Sequence, residues 1–275
     1  MPIAQSLDHF VVPVDDLVVA EEFYTQVFGG EITKRNGLNT RQRKRGAVPH
    51  TFVQIGGKRM GVYLQSDERP QPNGLRGLPT YSFTTTERGL EELTAQLSSL
   101  ACRFEGPIPN AHSFAAQSVF LTDPSGNHYS VYVPKAVSPA SETSKRITGV
   151  GYIELEAPDI EASINFYQNV LGFVLQDCSA DSKQATLKMA SGQTLILTQA
   201  PFAPKGLTMS RKVPGPHIAF YIPGANWTAA IAHLDKLGIE NGDRGAAKER
   251  VEGQGGTYMD DPAGYVIQFI TDGME

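Results

Sequence analysis

Apolar and polar positions along this chain recur in an order that repeats itself. Leu7–Gly29 (LDHFVVPVDDLVVAEEFYTQVFG) opens with an alternating stretch rich in β-branched residues, the pattern of a strand, and continues as a helix. Val150–Gly172 (VGYIELEAPDIEASINFYQNVLG) aligns with it without a gap. Asp16 meets Asp159, Phe23-Tyr24 meets Phe166-Tyr167, and Gly29 meets Gly172. Asp16 and Asp159 suit helix N-caps, because a carboxylate accepts the free N–H groups of a first turn. In the second copy Ile160, Ile164, Tyr167 and Leu171 recur at helical spacing. Gly29 and Gly172 sit where a left-handed C-cap is needed.

A second pair of segments matches as well. Pro79–Thr84 (PTYSFT) meets Pro216–Tyr221 (PHIAFY), and each precedes a helical pattern. Leu90, Leu93, Leu97 and Leu100 form one apolar stripe, and Trp227, Ile231, Leu234 and Leu237 the other. Both helices lead through strands to an aspartate-proline turn, Asp123-Pro124-Ser125-Gly126 and Asp261-Pro262-Ala263-Gly264, followed by a terminal strand, His128–Val133 or Val266–Thr271.

The pattern predicts an α+β protein of four repeats, at about 5–70, 77–135, 147–200 and 214–272, each a strand, a helix and three strands. Pro134–Lys145 (PKAVSPASETSK) is rich in Pro, Ser and Ala and reads as a linker. The expected domains are 1–135 and 146–275, joined by 136–145.

Composition narrows the class. The 275 residues suffice for two cores without metal or disulfide staples. A formal charge of −5 argues against a nucleic-acid partner. Lys34–Arg45 is a local exception, with Lys34, Arg35, Arg41, Arg43, Lys44 and Arg45. It reads as a solvated loop or, alternatively, as a basic lid for an anionic ligand. Two cysteines, Cys102 and Cys178, do not make a disulfide framework, so a reducing, cytoplasmic setting is expected. Met1–Phe10 does not have the form of a signal peptide, and no stretch approaches the ~18 apolar residues of a membrane span. The expected partner is a small molecule, with neither nucleic acid nor membrane, and the chain is expected as a monomer or homodimer.

The FY…VFGG and FY…VLGF helices and the two DPxG terminal strands resemble the vicinal oxygen chelate superfamily over nearly the whole chain. That family includes glyoxalase I, bleomycin- and fosfomycin-resistance proteins and extradiol dioxygenases. The resemblance implies βαβββ modules whose strands curl in pairs into half-barrel clefts, here two clefts from four modules. It also implies a divalent metal, Fe, Mn, Ni or Zn, held by His, Glu or Gln on the first and last strands of a module. The first-strand ligand positions fall on His9, Thr80, Tyr152 and His217, and the last-strand positions on Ser130 and Gln268.

If consecutive repeats pair, no cleft has an intact ligand set. If the first repeat pairs with the fourth, the resemblance implies a metal on His9, His217 and Gln268, and the other cleft, with Thr80, Ser130 and Tyr152, has no metal ligands. Tyr258, three residues before Asp261, matches a tyrosine expected from ring-cleaving relatives and is the candidate catalytic residue, donating a hydrogen bond to a substrate oxygen. His112 falls in a comparable stretch without the expected Arg-His dipeptide; His50 and His128 lie on strands, and His233 lies on a helix as a structural residue. The expected function is a metal-dependent lyase, isomerase or dioxygenase-like enzyme acting in a half-barrel cleft on a small oxygenated molecule, aromatic ones included. The alternative is a metal-free protein that binds or sequesters such a molecule, as bleomycin-resistance relatives do.

Overall fold

The computed structural model describes residues 3–44, 48–65, 74–136, 146–200, 216–242 and 256–271. Arg45 and, apart from Ala136, the expected linker 136–145 lie outside the described residues. The first repeat comprises β1 (Ser6–Val14), α1 (Leu17–Phe28), β2 (Glu31–Asn36), a short α2 (Thr40–Lys44), β3 (His50–Ile55) and β4 (Lys58–Leu64). The second comprises β5 (Thr80–Thr84), α3 (Glu87–Ser99), β6 (Phe104–Pro109), β7 (Ala115–Thr122) and β8 (His128–Pro134). The third comprises β9 (Gly149–Ala157), α4 (Ile160–Asn169), β10 (Val174–Cys178), β11 (Gln184–Lys188) and β12 (Thr194–Gln199). The fourth comprises β13 (His217–Tyr221), α5 (Trp227–Lys236), β14 (Gly256–Asp260) and β15 (Val266–Ile270).

The strands form two curled mixed sheets, neither closed into a barrel. Their orders are β14-β15-β13-β1-β4-β3-β2 and β10-β11-β12-β9-β5-β8-β7-β6. The first and fourth repeats therefore contribute to one sheet and the second and third to the other, which decides the pairing left open by the sequence. By packing, the chain divides into two compact units, Met1–Val11 with Glu154–Glu275, and Val12–Ile153. The N-terminal half of β1 thus belongs with the third and fourth repeats, where Ser6–Val11 pairs antiparallel with β13. The first half of β9 belongs with the first and second repeats.

Local signals in the sequence act as expected. Asp16 accepts from the amides of Val18 and Val19, and Asp159 from that of Ala162, so both helices begin on a carboxylate cap. Gly29 and Gly172 take left-handed φ angles of 67° and 78°, and the residue after each, Gly30 or Phe173, donates back to the carbonyl of Tyr24 or Tyr167. The apolar stripes stop short of their last leucine. Leu90, Leu93 and Leu97 are buried, but Leu100 and Leu237 fall at helix C-caps, where the chain turns away, and are exposed. Lys34–Arg45 is not one loop: Lys34 and Arg35 lie on β2, and Arg41, Arg43 and Lys44 on α2, all facing solvent. Arg35 binds Glu21 through two guanidinium nitrogens at 2.8 and 2.6 Å. Among the described residues no helix is long and apolar enough to cross a membrane.

The FY and DPxG motifs meet in space. The Tyr24 hydroxyl on α1 donates to Asp123 Oδ2 at 2.5 Å, and the Tyr167 hydroxyl on α4 donates to Asp261 Oδ2 at 2.8 Å. The other carboxylate oxygen closes the turn: Asp123 Oδ1 accepts from the amides of Ser125 and Asn127, and Asp261 Oδ1 from those of Ala263 and Tyr265. Around the first clamp, Phe28 packs against Phe83 and Tyr129 at ring separations of 5.0 and 5.4 Å. In the other unit Tyr167 stacks on Phe173, which meets Phe220 edge-on. Burial, followed by the neighbouring aspartate, raises both tyrosine hydroxyls well above their ordinary range.

Burial also pushes Asp261 up to about 6, against the pull of its hydrogen bonds from Tyr167 and the turn amides. That value stands above the unfolded value of about 3.9, so protonation favours the folded state. The cost of burying the ionised carboxylate is present above about pH 6 and fades as the pH falls from there toward 4. Tyr167→Phe removes a donor from that carboxylate and is expected to cost about 1–3 kcal/mol at pH 8, and less at pH 5, in urea denaturation. An equal loss at both pH values would contradict this account of the clamp.

Candidate functional site

The fourth repeat and the first half of β1 place four polar side chains on one sheet face. In register, His9 on β1 lies opposite Ala219 on β13, Ala219 opposite Gln268 on β15, and Gln268 opposite Tyr258 on β14. Residues opposite one another on a ladder point to the same side, so this row shares a face. His217 joins it, two residues before Ala219 on the same strand and paired with Val11. Alternate residues, Ile218, Phe220, Ile267, Phe269 and Met259, fill the core on the other side. The alternation of HIAFY and VIQFI is what separates the polar row from the core.

His9, His217, Gln268 and Tyr258 are all buried, between 3% and 7% exposed. His9 Nε2 lies 3.3 Å from His217 Nε2, with the rings edge-on at 76°. The Tyr258 ring meets that of His217 edge-on at 5.4 Å. Ala219, between His9 and Gln268 in the row, carries only a methyl group. The Gln268 Oε1 is buried with no hydrogen-bond partner.

A bulge aims His9. The register of β1 on β13 shifts between Leu7, opposite Phe220, and His9, opposite Ala219. Simple alternation would put Leu7 and His9 on one face. The extra residue, Asp8, lets Leu7 stay in the core while His9 turns to the polar row. Asp8 also holds the ring it re-aims, with its Oδ1 2.6 Å from His9 Nδ1. A carboxylate there makes Nδ1 the protonated nitrogen, which leaves the Nε2 lone pair facing His217. The sequence marks His9 as a candidate but not Asp8, whose only signal is an acidic side chain next to it.

The donor set fits a divalent ion. Two imidazole nitrogens each about 2.1 Å from one metal, at octahedral to tetrahedral angles, lie about 3.0–3.4 Å apart. The 3.3 Å between the two Nε2 atoms falls in that range. An amide oxygen with no partner completes a row of three donors, and a carboxylate on the far ring nitrogen is the usual support of a ligating histidine. Among the described residues no three His, Cys, Asp or Glu side chains gather as a metal group.

The remaining candidates are dispersed. Thr80, Ser130 and Tyr152 lie in the other compact unit, where Tyr152 bonds through its hydroxyl to His112 Nε2 at 2.9 Å. His50 stacks flat on Tyr63 and meets Asn36, and burial lowers its pKa. His128 is buried on β8, and His233 meets the Asn169 carbonyl at 2.7 Å, a structural tie. Cys102 and Cys178 are free, and burial raises the Cys102 thiol. Glu154, on β9, was not singled out by sequence. It accepts from Thr198 and Gln184, and burial raises its carboxyl above the usual range.

The profile of the Glyoxalase/Bleomycin resistance protein/Dioxygenase superfamily matches residues 6–131 and 149–269. A Bacillus subtilis protein provisionally named a dioxygenase superposes with a TM-score of 0.72 at 15% identity, over 99% of this chain and 87% of its own. Glyoxalase I from Zea mays superposes with a TM-score of 0.65 at 18% identity, over 98% of this chain and 92% of its own. At such identities the likeness is one of fold. No curated protein sequence matches the chain.

The Asp8–His9 contact makes a prediction about protons. In metal-free protein, histidine 15N NMR is expected to show His9 as the Nδ1–H tautomer, and Asp8→Ala should release it to a mixture. An unchanged tautomer in Asp8→Ala would remove Asp8 from the site.

Proposed function

The chain belongs to the Glyoxalase/Bleomycin resistance protein/Dioxygenase superfamily, and from that premise we propose that His9, His217 and Gln268 hold one divalent metal ion, Fe, Mn, Ni or Zn. The protein then acts as a lyase, isomerase or dioxygenase-like enzyme on a small oxygenated molecule. The observation that carries this reading is the 3.3 Å approach of two buried imidazole nitrogens on the sheet face that also carries the partnerless Gln268 oxygen. Leaving the buried Gln268 oxygen without a partner is costly, and a cation held there would relieve it.

A bound ion of this type supplies Lewis acidity toward adjacent oxygens of the substrate. The chain's own residues supply the rest. Asp8 fixes the tautomer and orientation of His9. Tyr258, edge-on to His217, brings a phenol O–H that donates to a substrate oxygen and orients it. The buried setting excludes water and strengthens each of these hydrogen bonds. Gln268 is neutral, so the donor set does not offset the ion's charge, and affinity is expected to be lower than for a carboxylate set.

Metal content by mass spectrometry, on protein purified without an affinity tag or chelator, tests the assignment. About one Fe, Mn, Ni or Zn per chain is expected, with His9→Ala and His217→Ala each empty. Gln268→Glu should move the other way, tightening metal binding by about tenfold or more, ~1.4 kcal/mol. Full occupancy in both histidine variants would sink the proposed site, and a wild-type chain that takes up no metal on reconstitution would do the same.

A further inference from the structure

The compact unit Val12–Ile153 carries a sheet face of a different chemistry. The ladder register puts Ser82 opposite Ser130, Ser130 opposite Phe120, and Ser118 opposite Tyr132. These residues share one face, while Phe83 and Tyr129 point the other way, toward Phe28 of α1. Phe28 of α1 packs on that second face. The hydroxyl face is buried as well: Ser82, Ser118 and Ser130 are all 0% exposed.

Aromatic rings and the turn before β7 enclose it. Phe114 lies 5.5 Å from Tyr132 and 5.4 Å from Tyr152, and His112 bonds to the Tyr152 hydroxyl. Gly151 allows the close approach of β9, since a Cβ there would fall 2.4 Å from a Tyr132 ring carbon and 2.6 Å from Ser82 Oγ. Most hydroxyls of the face have partners. Ser82 bridges the Tyr152 backbone, accepting at 2.5 Å and donating at 2.6 Å. Thr80 donates to the Gly77 carbonyl, and Thr84 meets Thr148 at 3.0 Å. Ser118 Oγ and Ser130 Oγ have none. A buried hydroxyl without a partner weakens a fold, so two on one face, diagonal to each other across one ladder, point to something that binds there.

The charges say what kind of molecule that is. Arg76 stands over the Phe120 ring at 4.2 Å, and its guanidinium is held by both Glu105 oxygens at 2.9 and 2.8 Å. Burial and then the Arg76 charge lower the pKa of His112. Imidazole, phenols and hydroxyls recognise an uncharged ligand, and the ring walls favour a flat one.

We propose that this face is a second, metal-free binding site for a neutral aromatic alcohol of the phenol class. The ring lies among Phe114, Tyr132 and Phe120, and its O–H is held by Ser118 and Ser130. The inference does not depend on a metal at His9, which lies in the other compact unit. The chain then carries two sites of unlike chemistry.

Saturation-transfer NMR on the full chain, treated with chelator, tests it with phenol and cyclohexanol as probes. Phenol is expected to bind the wild type and His9→Ala alike, and more tightly than cyclohexanol. Ser118→Ala and Ser130→Ala should each weaken phenol binding by about three- to tenfold. The same two variants should melt at or above the wild-type temperature, because each deletes a hydroxyl that has no partner in the unliganded chain. Absence of transfer to phenol at about 10 mM, far above the affinity needed for a ligand of this size, would overturn the proposal. So would equal phenol binding in the Ser118→Ala/Ser130→Ala double variant, loss of phenol binding in His9→Ala, or cyclohexanol binding as well as phenol.

Discussion

A tyrosine hydroxyl bound to a buried aspartate fastens each pair of consecutive repeats. Tyr24 and Tyr167 come from the helices of the first and third repeats, Asp123 and Asp261 from the turns of the second and fourth. Each aspartate divides its oxygens between tasks, one taking the tyrosine and the other the amides of its own turn. The turn in which it sits launches the last strand of the repeat, so the carboxylate fixes where that strand begins. Because a one-residue slip reverses every side chain of a strand, this start point decides whether Ser130 on β8 and Gln268 on β15 face a cleft or the core. The placement of both polar faces therefore rests on two buried hydrogen bonds.

Much of this was written in the chain. Asp16 and Asp159 cap helices because carboxylate chemistry is local, and Gly29 and Gly172 close them for the same reason. The repeats, the motifs and the row positions of His9, His217 and Gln268 follow from periodicity together with the resemblance. What escaped were the non-local features. Which repeats share a sheet depends on hydrogen bonds between distant strands, so pairing stayed open until β1 was seen beside β13. The bulge at Asp8 exists only relative to its partner strand, and no alternation pattern marks it. His112 has no neighbouring arginine to mark it, and its partner Tyr152 lies 40 residues on and becomes adjacent only by folding.

Unsatisfied polar atoms give a further view of the two faces. Among the described residues, six buried side-chain nitrogen or oxygen atoms have no partner, and three of them, on Ser118, Ser130 and Gln268, lie on these faces. Folded proteins carry few such atoms, and those that persist ask for a reason. Here they sit where the opposite face of the same strands supplies the core. The core residues can thus be chosen for packing alone, while the polar rows bear the cost of pre-formed recognition.

Four repeats in one chain have a consequence for symmetry. A homodimer of two-repeat chains must present identical side chains at its two equivalent sites, because a two-fold axis copies every substitution. A fused chain is released from that obligation. At the first-strand position this protein has imidazoles at His9 and His217 but a hydroxyl and a phenol at Thr80 and Tyr152. The two faces could drift apart residue by residue while the duplicated tyrosine–aspartate clamps held the architecture constant. Covalent linkage thereby turns a redundant pair of clefts into two independently tunable surfaces on one molecule.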